Sequence, residues 1–385
     1  DFNSDGKNDL IIGTGGADFF NEMKPLTDSY YSASESRFIK KEFPELFENT
    51  SVLLKLDYDH DNDLDVLICN QSISADYGNK PNSYLLENKN GDFTIANNLF
   101  ENLGMITDAV VTDFNNDGWE DLLFVGEWMS PRFFLNNKGI FTEVQLLEND
   151  KTNGLWQAVT SFDIDDDGDQ DYLLGNWGLN TKFSASSEHP MKMYYGDLDK
   201  NGATETIVST YKDGKNYPID GLRELSSQLV SLRKKFTNYT SFAGKSMEEI
   251  LGEDVLPNAE IQEVHTLSSG YLRNDNGKFS FIPFNFELQL APIMSFLEFD
   301  FDGDTKTEVL AAGNYFGVKP YHGRFDSFPG ALINDVNNIT LANRIGLDLM
   351  GKSIRNINII HSNNNNYLLL TFNNEAVQVY KILKQ

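Results

Sequence analysis

Six stretches of this sequence carry oxygen-bearing side chains at alternate positions, the spacing a chain needs to curl around a hard cation. They are Asp1, Asn3, Asp5 and Asp9; Asp57, Asp59, Asp61 and Asp65; Asp113, Asn115, Asp117 and Asp121; Asp163, Asp165, Asp167 and Asp171; Asp197, Asp199, Asn201 and Glu205; and Asp300, Asp302, Asp304 and Glu308. Each set fills positions 1, 3, 5 and 9 of a nine-residue loop. Ca²⁺ takes six to eight oxygens at ~2.3–2.6 Å, so alternate side chains must converge while the backbone bends. Position 6, where the bend calls for a residue without a Cβ, is Gly6, Gly118, Gly168 or Gly202 in four loops. It is Asn62 and Thr305 in the other two, where weaker sites are expected. Asp, Asn and Gly also favour ordinary turns, and one copy would not separate the two readings. Six copies of one pattern do. Three or four carboxylates crowded into each loop repel one another without a metal. Up to six Ca²⁺ are therefore expected, with binding energy appearing as folding energy.

The loops sit between apolar runs. LIIG, VLIC, LLFVG, YLLG, TIVS and VLAAG follow them, and SVLLKL, DAVVT and AVTSF precede three of them. Strand, acidic turn, strand is the expected hairpin. A second hairpin with an Asn-Gly-type turn recurs downstream, in SYLLENKNGDFTIA from Ser83, RFFLNNKGIFTEV from Arg132 and GYLRNDNGKFSFI from Gly270. The loops begin 56, 56, 50, 34 and 103 residues apart, and intervals near 50 suit four-stranded blades. The stretch from Ile354 reads as three more strands without an acidic loop. The expectation is an all-β, seven-bladed β-propeller forming one domain over 1–385, with six or eight blades as alternatives. The chain opens at Asp1 inside a repeat, which leads us to expect further sequence upstream.

One segment breaks the β pattern. Leu222, Leu225, Leu229, Leu232, Phe236 and Tyr239 recur at helical spacing, and Ser246 followed by Glu249 reads as a capping box. A helical insertion is expected over 221–253. It either caps the propeller or docks a partner, aided by Arg233, Lys234 and Lys235.

The acidic hairpins resemble FG-GAP/VCBS repeats of integrin α-type propellers. With FENTS from Phe47, VGEWM from Val125, GNWGLN from Gly175, LRKKF from Leu232 and GNYFGVKPYHGRFD from Gly313, the chain is similar to bacterial VCBS-repeat proteins found with ASPIC/UnbV domains. No ASPIC/UnbV segment is recognisable here. The resemblance implies a calcium-binding propeller that is extracellular or at the bacterial outer-membrane surface, within a larger assembly such as an outer-membrane transport complex. It implies no settled activity.

Composition narrows the partners. Hydrophobic residues at 40% and charged residues at 23% indicate a globular rather than a disordered chain. Acids outnumber bases 58 to 31, a net charge of −27 that opposes binding to nucleic acid or anionic membrane. The longest apolar runs fall far short of a membrane span. Cys69 stands alone, so no disulfide framework exists within the chain.

For a ligand, the residues after the second strand of each blade are the candidates. Trp128, Trp177, Tyr315 and Phe316, joined by Trp156, are expected to gather on the face opposite the acidic loops, beside Glu127, Asn176, Asn180, Asn314 and Arg324. Flat rings with polar neighbours suit a glycan or a peptide; the same rings equally suit packing between blades. Five histidines show no metal-ligand spacing, and neither a nucleophile elbow nor a phosphate loop is present. The sequence therefore reads as a binding module for glycan or protein at a cell surface. The alternatives are a polysaccharide lyase or hydrolase using His322 and Arg324, and a structural accessory subunit of an outer-membrane complex.

Overall fold

In four of the six repeats the apolar run after the acidic loop becomes a central strand with both faces covered. Asp121–Met129 and Glu308–Gly313 are buried along their whole length, Tyr172–Gly175 likewise, and Asp65–Ser72 over its first six residues. That is why these strands lack polar alternation. The computed structural model describes residues 1–16, 19, 22–149 and 151–383. Its chain is almost entirely β and divides into two compact units. The first comprises Asp1–Asp113, Asp117–Glu143 and Ser184–Thr266; the second comprises Phe114–Asn116, Val144–Phe183 and Leu267–Gln385.

Three antiparallel sheets follow one another in the first unit. They are built on Leu10–Ile12, Ser29–Ala33 and Phe38–Lys40; on Asn49–Leu56, Asp65–Ser72, Tyr84–Lys89 and Asp92–Asn97; and on Met105–Thr112, Asp121–Met129, Arg132–Asn136 and Phe141–Val144. Hairpin register sets Leu54 opposite Leu67 and Val110 opposite Leu123. Consecutive sheets pack face to face. Tyr30 meets Val66, Ile68, Leu86 and Phe93. Leu67, Cys69 and Leu85 meet Ile106, Leu122 and Phe124 in turn. Phe100, Phe124 and Phe134 form a triangle with centroids 5.3–5.4 Å apart.

In the second unit the sheets are Ala158–Ser161, Tyr172–Gly175, Gly270–Asp275 and Lys278–Pro283; Ile293–Phe299, Glu308–Gly313, Ala331–Asp335 and Asn338–Leu341; and Ile354–Ser362, Asn365–Phe372 and Gln378–Lys381. They too pack in sequence, through Leu173, Tyr271, Val309 and Phe328, then through Leu310, Leu349, Ile357 and Leu370.

The remaining sheet departs from the chain-order expectation. Met191–Gly196, Glu205–Lys212, Lys215–Pro218 and Glu260–Val264 form a sheet of their own, inserted in sequence between the second and third strands of the sheet begun at Ala158. The short interval between Asp163 and Asp197 is thus an interruption, and the strands that complete the earlier sheet lie beyond Gly270. This inserted sheet carries the helices, which are four short segments: Leu222–Gln228, Leu232–Lys235, Tyr239–Phe242 and Met247–Val255. The capping box forms, with Ser246 and Glu249 exchanging bonds with each other's backbone N–H. Leu222, Leu225, Leu229, Leu232 and Phe236 bury against Tyr194, Leu198 and Ile207, whereas Tyr239 stays 66% exposed. The apolar stripe therefore covers its own sheet. Among the described residues no helix is long and apolar enough to cross a membrane.

Buried asparagines tie successive sheets together. Asn136 Nδ2 donates to Tyr58 O in the preceding acidic loop and to Glu120 O in its own, while its Oδ1 accepts from Gly139 N. Asn88 makes the same bonds to Phe2 O, Leu64 O and Gly91 N. Asn274 repeats the local half with Gln170 O and Gly277 N. Asn136→Ala strands three backbone groups in a site of zero exposure, so it is expected to lower unfolding free energy by about 3 kcal/mol. The exposed neighbour Asn137→Ala should move it by under about 0.5 kcal/mol. Urea unfolding of both variants reads the difference.

Candidate metal loops and an aromatic surface

All six acidic loops adopt one local geometry. Position 5 accepts a hydrogen bond from the backbone N–H of position 7 in every copy, at 2.7–3.0 Å. Positions 4 and 6 are both left-handed: φ is 55° and 82° at Ser4 and Gly6, 58° and 73° at His60 and Asn62, and 87° and 79° at Gly303 and Thr305. In four loops the position 1 carboxylate accepts from the N–H groups of positions 5 and 6. The last loop shifts this pair, with Asp300 bonding Gly303 and Thr305. The expected departures at Asn62 and Thr305 thus preserve the fold of the loop. A β-branched threonine at φ 79° nevertheless carries strain that glycine does not.

Position 9 has a double role that spacing alone did not disclose. Asp65, Asp121, Asp171, Glu205 and Glu308 are all buried. Their carboxylates accept from position 2 of the loop, as Asp65 does from Tyr58 N, Asp171 from Ile164 N, Glu205 from Leu198 N and Glu308 from Phe301 N. The aspartates also reach the next strand: Asp9 to Ala33 N, Asp65 to Asn88 N, Asp121 to Asn136 N and Asp171 to Asn274 N. Position 9 therefore latches loop to sheet, and at Asp171 and Glu205 it also brings an oxygen into the acidic cluster.

Burial sets the electrostatics. It pushes the Asp65 carboxyl up to about 7 and that of Asp171 up to about 6. Backbone hydrogen bonds counter the effect, and the carboxylates at positions 3 and 5 reinforce it. Burial likewise raises Glu205 and Glu308, and, with neighbouring carboxylates, Asp59 and Asp165. These directions are those of carboxylates crowded together and drawn out of water.

The donor set fits a cation. Ligand oxygens lie within 4.8 Å of one another among Asp57, Asp59 and Asp61; Asp163, Asp165 and Asp171; Asp197, Asp199 and Glu205; and Asp300, Asp302 and Asp304. Asp57 Oδ1 is buried with no hydrogen-bond partner, a lone pair with nothing in the protein to meet it. The loops at Asp1 and Asp113 carry Asn3 and Asn115 at position 3, an amide in place of a carboxylate. These acidic clusters can hold metal ions. Neighbouring loops also touch: the rings of His60 and Trp119 stack at 3.8 Å, and Glu120 accepts from Asp57 N.

The aromatic residues do not all form a surface. Trp128 is 5% exposed, with φ 61°, and its indole donates to Tyr77 OH, which in turn bonds Glu127 at 2.5 Å. Trp156 is fully enclosed, donating to Thr152 O and standing edge-on to Phe281 at 5.4 Å. Asn176 and Asn314 are fully buried too, and their side chains hold backbone. For these four the packing reading prevails, because their polar atoms are already satisfied internally. Trp177, Tyr315, Phe316 and Arg324 stay partly or largely exposed. Trp177 lies 5.9 Å from Tyr315 and 5.5 Å from Phe325, and Arg324 stacks on Phe316 at 3.9 Å.

Comparison with known proteins bears on the loops. The FG-GAP-like repeat family matches residues 57–124 and 113–174, which span the second, third and fourth acidic loops. The chain carries FG-GAP-like repeats. Among solved structures, the crystal structure of the V. cholerae biofilm matrix protein Bap1 matches over 93% of this chain and 75% of that one, at 11% identity and a TM-score of 0.36. No curated protein matches the chain.

Reading the sequence for function missed the buried asparagines, although N-x-x-G stands at each downstream turn, from Asn88, Asn136 and Asn274. It also missed Arg355, which lies over the Tyr315 ring at 5.2 Å from a distant strand; no local signal marks that pairing.

Two predictions test the loop geometry. Thr305→Gly should raise unfolding free energy by about 1 kcal/mol and Gly118→Ala lower it by a similar amount, both read by thermal unfolding. In chelator, the folded state holds protons on Asp65 and Asp171 that the unfolded chain releases near pH 4. Metal-free stability should therefore be highest at acidic pH and fall as pH rises from about 4 to 7. With divalent cation present the slope should reverse between about pH 5 and 7, since the ion needs the deprotonated carboxylates.

Proposed function

We propose that this chain is a calcium-stabilised β-propeller that acts outside the cell as a recognition module for glycan or protein within a surface assembly. The observation that carries this reading is the sixfold recurrence of one loop geometry, with acidic oxygens converging in it and Asp57 Oδ1 left without a partner. The FG-GAP-like repeats support it, and kinship with bacterial VCBS-repeat proteins belongs to the same reading. Serial face-to-face packing of meander sheets within each unit is what propeller blades require. The inserted sheet, with four strands and its own acidic loop, is then a blade, and the helices at 221–253 are an insertion within it.

Calcium rather than magnesium follows from the ligand set. Side-chain oxygens spread over nine residues of a bent loop favour an ion that accepts six to eight ligands in irregular geometry. A millimolar extracellular supply of calcium matches sites built for structure rather than signalling. On this reading the exposed part of the aromatic surface in the second unit is where a ligand meets the protein.

Thermal unfolding in calcium, in magnesium and in excess EGTA tests the proposal. The midpoint should fall by roughly 10 °C or more on chelation, a loss of several kcal/mol spread over the loops. Calcium should restore it and magnesium should restore much less. A midpoint indifferent to EGTA would sink the structural-calcium reading.

A further inference from the structure

In a chain with net charge −27, one surface gathers cations over aromatic rings. All of it lies in the second unit. Arg324 sits 3.9 Å above Phe316, Arg355 5.2 Å from the centre of Tyr315 and Lys182 5.4 Å from that of Tyr321. The rings connect these sites. Lys182 Nζ bonds Tyr321 O, Tyr321 touches His322, His322 meets Phe183, and Phe183 meets Trp177, which lies against Tyr315. Tyr315 and Phe325 exchange backbone hydrogen bonds, setting Arg324 beside the same group. Arg324 is 58% and Tyr321 49% exposed.

The platform is held from beneath. Asn314, in a left-handed conformation at φ 76°, donates to Phe328 O, Leu349 O and Lys352 O, and so binds three segments under the Tyr315 loop. Asn180 does the same on the other side through Leu290 O and Ser327 Oγ. Arg324 Nε pairs with Asp326 at 3.4 Å, an exposed contact on one side of the guanidinium, and the planar fork of an arginine laid on a ring matches the geometry of carboxylate or sulfate. The partial exposure of Trp177 and Tyr315 adds flat apolar faces of the kind sugar rings cover. The remainder of the molecule repels polyanions, so fixed cations gathered here are matched to an anionic group at short range.

We infer that this surface, around Trp177, Lys182, Tyr315, Tyr321, Arg324 and Arg355, binds an acidic polysaccharide, with the arginines on its anionic groups and the rings on its sugar faces. The inference rests on the reading of the chain as a recognition module and names the ligand class of that module.

The test is calorimetric titration of the full chain in calcium with hyaluronan oligosaccharides, dextran sulfate, neutral dextran and polyglutamate, alongside a melting curve for each protein. Binding to hyaluronan is expected, with dextran and polyglutamate at least about tenfold weaker because each lacks one of the two recognised features. Arg324→Gln combined with Arg355→Gln should weaken hyaluronan by about tenfold or more without moving the melting midpoint. Lys138→Gln, in the other unit, should leave it unchanged. Binding to dextran sulfate alone also supports the inference and assigns sulfate as the recognised group. Equal binding of dextran or polyglutamate overturns it, as does a double variant that is folded and binds normally. A folded, calcium-loaded protein that binds none of the four overturns this ligand class while leaving the calcium-stabilised scaffold intact; binding that persists with a midpoint indifferent to EGTA does the reverse.

Discussion

Carboxylates drawn to within 4.8 Å of one another in a partly buried loop are the constraint on which the rest of this structure depends. Each loop solves its own repulsion only in part, by handing oxygens to its own backbone: position 5 to the N–H of position 7 in all six, and position 1 to the N–H groups of positions 5 and 6 in four. The position 9 carboxylates of Asp65, Asp171, Glu205 and Glu308 go further, because they sit out of water and burial raises their affinity for protons. The same desolvation that penalises their charge makes a cation in the loop effective. Charge, turn geometry and strand pairing thus meet at one residue per repeat, which couples whatever fills the loop to the order of the sheet beneath it.

Between sheets, the coupling is carried by neutral groups. Asn88 and Asn136 reach from the end of one sheet's third strand to the acidic loop of the sheet before it, and the apolar faces close over them. An amide suits this position better than an acid. It donates twice and accepts once, satisfying three backbone groups without adding charge beside carboxylates. The arrangement separates tasks: acids face the turn, amides face the neighbouring sheet, and apolar strands fill the space between. The partly exposed rings of the second unit stand outside that division of labour: Trp177, Phe183 and Tyr315 pack one side on the core and leave the rest open, with Arg324 and Arg355 laid over neighbouring rings.

Much of this was legible from residue spacing. The nine-residue period with oxygens at 1, 3, 5 and 9 located all six loops, and the apolar runs on either side located the strands, because a hairpin is a local object whose turn and register are set by neighbouring residues. The capping box at Ser246 and Glu249 was local too, and it formed as read. The helical stripe from Leu222 was seen, but its division into short segments was not. Asn238 opens a new helix by capping Ser241 N, and the chain at Phe236 turns extended just before it.

What the sequence determined by itself was therefore everything set within about ten residues: the acidic loops, their left-handed bends, the strand pairs and the acidic charge that opposes polyanion partners over most of the surface. Tertiary structure alone decided three things. It placed the sheet at 191–264 inside another sheet's connection, because strands 100 residues apart in sequence can pair whenever their edges and registers match. It enclosed Trp128 and Trp156 while leaving Trp177 and Tyr315 partly open, since burial depends on what a neighbouring element covers rather than on residue type. And it brought Arg355 over Tyr315, a pairing between distant segments that no period in the chain encodes.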